Sequence, residues 1–322
     1  MAKATARAHT IQGLLKYHGL KNRELRVPYH NSISVCVKEL TTTATIEFGD
    51  QYSENLVEIN GLIARGNEAL RVMAVINPLQ RLANKRDHFR LVSTNSLVNA
   101  KGLGFSASAF ASIARSASAA LGLSLDSEHL SEIARLGSAS ASRSVAGGFA
   151  VLYTSKDGRC FARELADEKH VPLAMGIVPV ASDVKTEKAH EEIVGSPFFT
   201  ARLKEVDVTF QRMLGAINRG EVDEVCRLAE DDSLSLHAAT MTGKSGLTLM
   251  SPESIHVIRR VRTMREEGVP VWFSLDSGPS VFLNTHLEYL NTVCGDIERN
   301  CHLPVIKSGV GGPAYSLTQH LF

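Results

Sequence analysis

The stretch that most constrains the fold runs from Asn99 to Leu121, NAKGLGFSASAFASIARSASAAL. Glycines at 102 and 104 and serines at 106 and 108 lead into a run whose apolar positions, Phe110, Ile113, Ala114, Ala117 and Leu121, fall on one face of a helix. Glycine lets backbone N–H groups come close to an anion, and the start of a helix carries unpaired donors and partial positive charge. The stretch therefore reads either as a phosphate-binding loop or as a glycine turn entering a tightly packed Ala/Ser helix. Taken alone, it does not choose between the two.

Around it the chain reads as mixed strands and helices. Residues 3–9 alternate as a first strand, and Lys16 and Tyr17, between Gly13 and Gly19, fall on a loop. Ser32 to Val37 reads as a strand and Thr41 to Phe48 as its antiparallel neighbour. Residues 54–84 look mostly helical, and 86–93 form a strand leading into the glycine loop. Asp126 or Ser127 caps a further helix that carries Leu130, Ile133 and Ala134 and ends near Gly137. A hairpin follows, with FAVLYTS from Phe149, a turn at Lys156-Asp157-Gly158, and a return through Cys160 to Glu164. Val171 to Ala181 reads as a buried strand. Beyond it, helices are expected over 187–218, 221–230, 252–267 and 284–300, with strands at 269–275 and 303–307. This change of pattern places a boundary near 182, giving domains 1–182 and 183–322.

Composition narrows the classes. With 322 residues, 44% apolar and 21% charged, the chain can bury a substantial core. A net charge of +1 points away from nucleic acid or an anionic membrane as partner, and no apolar run is long enough to span a bilayer. The segment MAKATARAHTIQG lacks the apolar core of a secretory signal. Cys36, Cys160, Cys226, Cys294 and Cys301 form no CxxC pair, so a disulfide framework or structural zinc is not expected, and a reducing cytoplasm is.

Nucleotide motifs can be tested directly. No GxxxxGK[ST] is present, which removes a Walker-type loop. Residues 102–107, GLGFSA, match G-x-G-x-x-A, yet they lie a third of the way into the chain, and the next acid, Asp126, precedes a helix rather than ending a strand. Lys16 stands among glycines, Arg143 among small residues, and Asp276 at the end of an apolar strand before Ser-Gly-Pro. Singly, these read as a solvated lysine, an arginine bonding loop carbonyls and a turn-forming aspartate.

Jointly they resemble one family. KYHG at 16–19, Pro28 and NSISV at 31–35 are similar to the KYWGK…LP…SISV segment of the diphosphomevalonate decarboxylases, members of the GHMP kinase superfamily. VSTNSLVNAKGLGFSAS (92–108) resembles that family's phosphate loop with the strand before it. IARLGSASASRSVAGGF (133–149) resembles its IAR-GSGSACRS-GGF segment. LDSGPSV (275–281) is similar to the DAGPN corner, and SGVGGPA (308–314) to a late glycine turn. The matches follow in order along almost the whole chain.

The resemblance implies an α+β, GHMP kinase-like two-domain fold. Its N-terminal domain would be ribosomal-protein-like, its C-terminal domain ferredoxin-like, and the active site would lie in the cleft between them. It puts the catalytic residues on Asp276, Arg143 and Lys16. Substrate contacts fall on Tyr17, His18, Lys21, Ser138, Ser140 and Arg143, and ATP contacts on Asn95, Gly102, Gly104, Ser106 and Ser108. Mg²⁺ is expected to come with ATP, with Ser106 as the one side chain suggested near it and no metal site otherwise assigned to protein side chains. The related mevalonate 3-kinases lack the aspartate, so Asp276 implies decarboxylation rather than phosphorylation alone. The implied partners are a small mevalonate phosphate and, from the family, a second copy of the chain in a cytoplasmic homodimer.

Departures bear on the substrate. His18 replaces the family's tryptophan, and Leu20 stands where a lysine helps bind the 5-diphosphate, with Lys21 one position on and Asp183 to Lys188 as further tail candidates. The AHTIQGLLKYHG style is similar to the phosphomevalonate decarboxylases. These implications favour mevalonate 5-phosphate, giving isopentenyl phosphate, with the 5-diphosphate next and the 3,5-bisphosphate third. A kinase-like fold turned binding module, and a NAD(P)-binding protein, are the alternatives from other classes.

Overall fold

The computed structural model describes residues 2–97, 103–155, 159–181 and 186–322. Gly102, the turn at 156–158, the boundary at 182/183 and residues 183–185 of the tail region lie outside the described residues, as do the side chains of 186 and 187. In chain order the first half runs β1 (Ala2–Leu15), β2 (Leu20–Asn22), β3 (Val27–Pro28), β4 (Ser32–Phe48), β5 (Leu56–Ile59), β6 (Leu62–Ile63), α1 (Asn67–Leu82) and β7 (Phe89–Asn95). It continues with α2 (Phe105–Ala120), α3 (Ser127–Gly137), α4 (Ala141–Ala146), β8 (Phe149–Thr154), β9 (Cys160–Ala166) and β10 (Leu173–Val178). The remainder is α5 (Thr186–Val194), α6 (Phe199–Asn218), α7 (Val222–Met241), α8 (Pro252–Glu266), β11 (Val271–Ser274), β12 (Val281–His286), α9 (Leu290–Cys301), β13 (Ile306–Ser308) and β14 (Tyr315–Leu317).

The β1–β4 ribbon is the spine. It pairs antiparallel from Ala2↔Phe48 to Leu15↔Ile33. The segments 32–37 and 41–48 are thus one strand rather than two neighbours. The polar Lys38-Glu39 pair that stands between them in sequence is taken up where the register jumps from His9↔Thr41 to Thr10↔Val37, a bulge in the ribbon. The first sheet has the order β14-β1-β4-β7-β5-β6, with β8 on the Ser32–Val35 stretch of β4 and β9 outside β8. The second sheet is antiparallel, β11-β12-β10-β13. So β10 (173–178) enters the second sheet, and β14 returns to the first.

Three other expectations change. Residues 54–84 hold a hairpin before the helix, because Asn60 and Gly61 both take positive φ, 50° and 80°, as a tight two-residue turn requires. The span 187–218 is two helices, α5 and α6, interrupted at Gly195-Ser196-Pro197. Residues 284–286 of the expected last helix belong instead to strand β12, whose side chains are nearly all buried and carry no helical period.

Helices α1, α2 and α3 cover the first sheet through Val72, Ile76, Phe110, Ile113, Ala114, Ala117 and Leu130. A second apolar cluster joins the halves, packing Leu14, Leu15 and Ile33 with Val206, Phe210, Met213 and Phe282. The seam it seals is where β1 ends. Among the described residues no helix is long and apolar enough to cross a membrane.

Candidate active site

Residues 13–19 leave the end of β1 and run along the seam. Gly13 donates its N–H to both carboxylate oxygens of Asp276, at 3.1 Å to Oδ1 and 3.3 Å to Oδ2, and its carbonyl accepts from the Ser274 hydroxyl at 3.4 Å. A Cβ on Gly13 would stand 2.8 Å from Asp276 Oδ1 and 2.8 Å from Lys16 Cγ. Glycine is therefore required here by close approach, with no demand on φ.

Asp276 follows β11, and helix α7 holds that segment through successive side chains. The Glu230 carboxylate accepts from Phe273 N–H (3.0 Å), the Ser233 hydroxyl from Leu275 N–H (3.1 Å), and His237 Nε2–H donates to the Asp276 carbonyl (3.1 Å). The same helix grips Lys16. Asp232 Oδ2 accepts the Lys16 N–H at 2.9 Å and lies 3.6 Å from its Nζ, which donates to the Ala229 carbonyl at 3.3 Å. Arg202, from α6, closes the arrangement, donating to Asp232 Oδ1 (2.8 Å) and to the Lys16 carbonyl (3.1 Å).

Arg143, on the short helix α4, is buried and donates Nη1–H to the Ser32 hydroxyl at 2.9 Å, while its Nε has no protein partner. Its guanidinium stands 5.3 Å from the Tyr17 ring centre. Tyr17 stacks on His190 of α5 at 5.1 Å, and His18 lies 4.7 Å from the same ring, with His18 Nε2 buried and unpartnered. Gly19 N–H donates to His190 Nδ1 at 3.1 Å, which puts the proton of a neutral His190 on Nε2. Ser138 caps the end of α3, Ser140 starts α4, and their hydroxyls are 2.9 Å apart. Arg26 and Arg71 reach the carbonyls of Leu136 and Gly137 at the same helix end.

Of the residues for nucleotide, Gly104 (φ 73°) begins α2, and a Cβ there would meet the Ile11 carbonyl oxygen at 2.7 Å. This close approach sets the start of α2 against β1, two residues before Gly13. Ser106 is exposed in the first turn of α2. Ser108 is buried, its hydroxyl 2.6 Å from that of Thr42, which also donates to Asn95 Oδ1 at 2.8 Å. Lys21 is exposed on β2, next to a half-buried Leu20.

The electrostatics follow from burial. It pulls the Lys16 ammonium below the ordinary lysine range, with Asp232 and Asp276 opposing. It pushes the Asp276 carboxyl up, against the pull of Lys16, the Gly13 N–H and Arg143. Of the three groups expected to act together, Asp276 thus feels both Lys16 and Arg143, and each of those feels Asp276. Burial, with Lys16 adding, lowers His237 to about 4, so its ring is neutral near pH 7. Among the described residues no cluster of three His, Cys, Asp or Glu side chains forms a metal site.

Sequence reasoning missed Asp232, His237, Arg202, His190, Arg26 and Arg71. The one available signal was acidic, serine and histidine residues at helical spacing from 230 to 237, obscured by ending that helix at 230.

Comparison with known proteins identifies this frame. The model of the diphosphomevalonate decarboxylase-like N-terminal domain matches residues 8–162, and that of the mevalonate 5-diphosphate decarboxylase C-terminal domain matches 184–308. The chain belongs to the diphosphomevalonate decarboxylase family. Within that family, a phosphomevalonate decarboxylase of Haloferax volcanii is 40% identical over 319 residues, 98% of each chain. The mevalonate diphosphate decarboxylase of Staphylococcus aureus superposes with a TM-score of 0.91 at 27% identity, covering 98% of both chains. A complex of MDDEF with MVAPP, AMPPCP and magnesium gives 0.90 at 28% identity, covering 99% of both. The α+β, GHMP kinase-like two-domain fold expected from the motifs is the one observed.

Proposed function

We propose that this chain catalyses the ATP-dependent decarboxylation of mevalonate 5-phosphate to isopentenyl phosphate, releasing ADP, phosphate and carbon dioxide. The observation that carries the reading is the Asp276 carboxylate, fixed by the Gly13 N–H groove in the field of Lys16 and Arg143. Family membership supports the reaction class, and the 40% identical relative supports the monophosphate.

In this reading Asp276 orients the 3-hydroxyl and accepts its proton as the oxygen takes the γ-phosphoryl group. Lys16 stabilises charge on the transferring group, which in phosphoryl transfer depends on alignment and neutralisation more than on covalent help. The 3-phosphate then leaves with the C3–O bonding pair. The C–C bond to the carboxylate breaks, its electrons form the alkene, and carbon dioxide departs. Arg143 offers a planar fork to a carboxylate or phosphate, and its unpartnered Nε–H is a buried donor that an anionic substrate satisfies, with His18 beside it on the substrate side. Tyr17, Ser138, Ser140 and Lys21 complete the substrate side. Asn95, Gly102, Gly104, Ser106 and Ser108 belong to the ATP side, supported by the tight seating of Gly104 on β1. Mg²⁺ bound with ATP supplies further charge neutralisation, and the exposed Ser106 hydroxyl is the side chain suited to approach it.

Leu20, apolar where the family resemblance puts a diphosphate-binding lysine, favours the 5-phosphate over the 5-diphosphate. In this reading the proposed domains, 1–182 and 183–322, meet at this site, with β10 lent to the second sheet and β14 to the first, and the family suggests a cytoplasmic homodimer. Light scattering that returned the mass of a single chain would remove the dimer from the reading. Side-by-side turnover of mevalonate 5-phosphate, 5-diphosphate and 3,5-bisphosphate, followed by ADP and CO₂, tests the substrate. Preference for the 5-phosphate is expected. Preference for the 5-diphosphate by a wide margin would transfer the assignment to the second substrate, and silence toward all three would overturn it.

A further inference from the structure

We propose that Asp232, steadied by Arg202, is the positioning residue that sets the Lys16 ammonium, and that α7 thereby fixes the separation of Lys16 from Asp276. The inference rests on the reading of Lys16 and Asp276 given above. Lys16 is gripped at every polar point: its N–H by Asp232 Oδ2 (2.9 Å), its carbonyl by Arg202 (3.1 Å), and its Nζ by the Ala229 carbonyl with Asp232 3.6 Å away. Asp232 and Arg202 are both almost wholly buried, so neither is a solvated surface partner. Arg202 pairs with Oδ1 at 2.8 Å, so the buried carboxylate is partnered at one oxygen while Oδ2 serves Lys16.

The second half of the argument is the helix itself. Five residues after Asp232, His237 holds the Asp276 carbonyl, and Ser233 between them holds Leu275. At about 1.5 Å of rise per residue, Asp232 and His237 are some 7–8 Å apart along one rigid element. A site referenced to a helix holds its geometry more tightly than one referenced to loops, and both reacting segments here are loops. The charged and titratable groups facing Lys16 are Asp232 and a neutral His237 from α7, Arg202 from α6 and Asp276 after β11. Without Asp232, burial and Arg202 both drive the proton off Lys16, and Asp276 alone opposes them.

The test is Asp232→Asn in the full chain, assayed with ATP, Mg²⁺ and mevalonate 5-phosphate. The expected result is a fall in kcat of about 100-fold, with KM for ATP held within about threefold. The alkaline limb of the kcat–pH profile is expected to move down by about one unit or more. Because the single change strands a buried arginine, Asp232→Asn/Arg202→Gln removes both charges together and is expected to fold, by circular dichroism, with the limb moved in the same direction but less far, since Arg202 no longer opposes the charge on Lys16. Asp232→Glu keeps the charge at a longer reach, returning the limb toward its original place while kcat stays reduced. A limb that does not move in either Asn variant, or a loss of kcat that only tracks the folded fraction, would overturn the positioning role. Silence of the unaltered protein toward every mevalonate phosphate would overturn the functional reading instead, so the two failures are distinguishable.

Discussion

Gly13→Ala separates the geometry of Asp276 from its chemistry. The backbone at Gly13 lies outside the positive-φ region, so alanine adds no backbone strain. The added methyl would, however, stand 2.8 Å from Asp276 Oδ1 and 2.8 Å from Lys16 Cγ, where ordinary contact begins near 3.4 Å. One or both side chains must give by about 0.6 Å, and the two N–H contacts to the carboxylate lengthen with them. Misplacement on the order of 1 Å costs about 100-fold in rate, so a fall in kcat of roughly 30- to 100-fold is expected, about 2–3 kcal/mol of barrier. Overpacking costs about 1–3 kcal/mol of stability, and a well-packed protein survives that folded. Steady-state ADP release, paired with a melting curve and binding of AMPPCP, separates the effects: kcat falls, nucleotide affinity holds, and the fold persists. A variant that turned over within about threefold of the unaltered protein would show that Asp276 does not work from this position.

Asp276→Asn is expected to abolish decarboxylation while AMPPCP still binds. Since burial raises the cost of the charged carboxylate more than Lys16, Gly13 and Arg143 lower it, the melting temperature should hold or rise, and a large drop would contradict that balance. His237 carries a pH signature. Its folded-state value lies below its ordinary value, from 6.5 to about 4, so the stability it contributes is present above pH 6.5 and is lost as pH falls toward 4. Between pH 7 and 5 this amounts to about 2 kcal/mol. Urea unfolding of the unaltered protein and of His237→Gln at both pH values should show the difference between them narrowing by that amount, and a difference independent of pH would refute it.

The motif-bearing segments were legible because their small residues have nowhere else to go. Gly104 must touch β1, and Arg143 sits among Ala and Ser residues that leave room for its guanidinium. What stayed hidden was whatever depends on partners distant in the chain. Asp231, Asp232 and Ser233 look like the end of a helix, since such residues compete for backbone hydrogen bonds. Here the helix runs on through them to Met241, because Asp232 is satisfied by Lys16 and Arg202 and Ser233 by Leu275. Ending it early put Asp232 and His237 in an imagined loop and removed them from view. The β4 bulge was concealed likewise, its polar Lys38-Glu39 pair being a local feature of a strand whose continuity comes from β1.

The strand carrying Gly13 finds its outer neighbour, β14, some three hundred positions later, and Lys3 reaches the Phe322 carbonyl at 3.1 Å while Leu321 N–H donates to Thr45 at 3.0 Å. Translation at about 5–20 residues per second leaves that flank open for roughly 15–60 s on the ribosome. For that interval a nascent chain presents a raw β-edge to every neighbour on the polysome. Yield in the cell therefore turns on what shelters the first ribbon while it waits, and a message cut short before codon 315 leaves it bare for good.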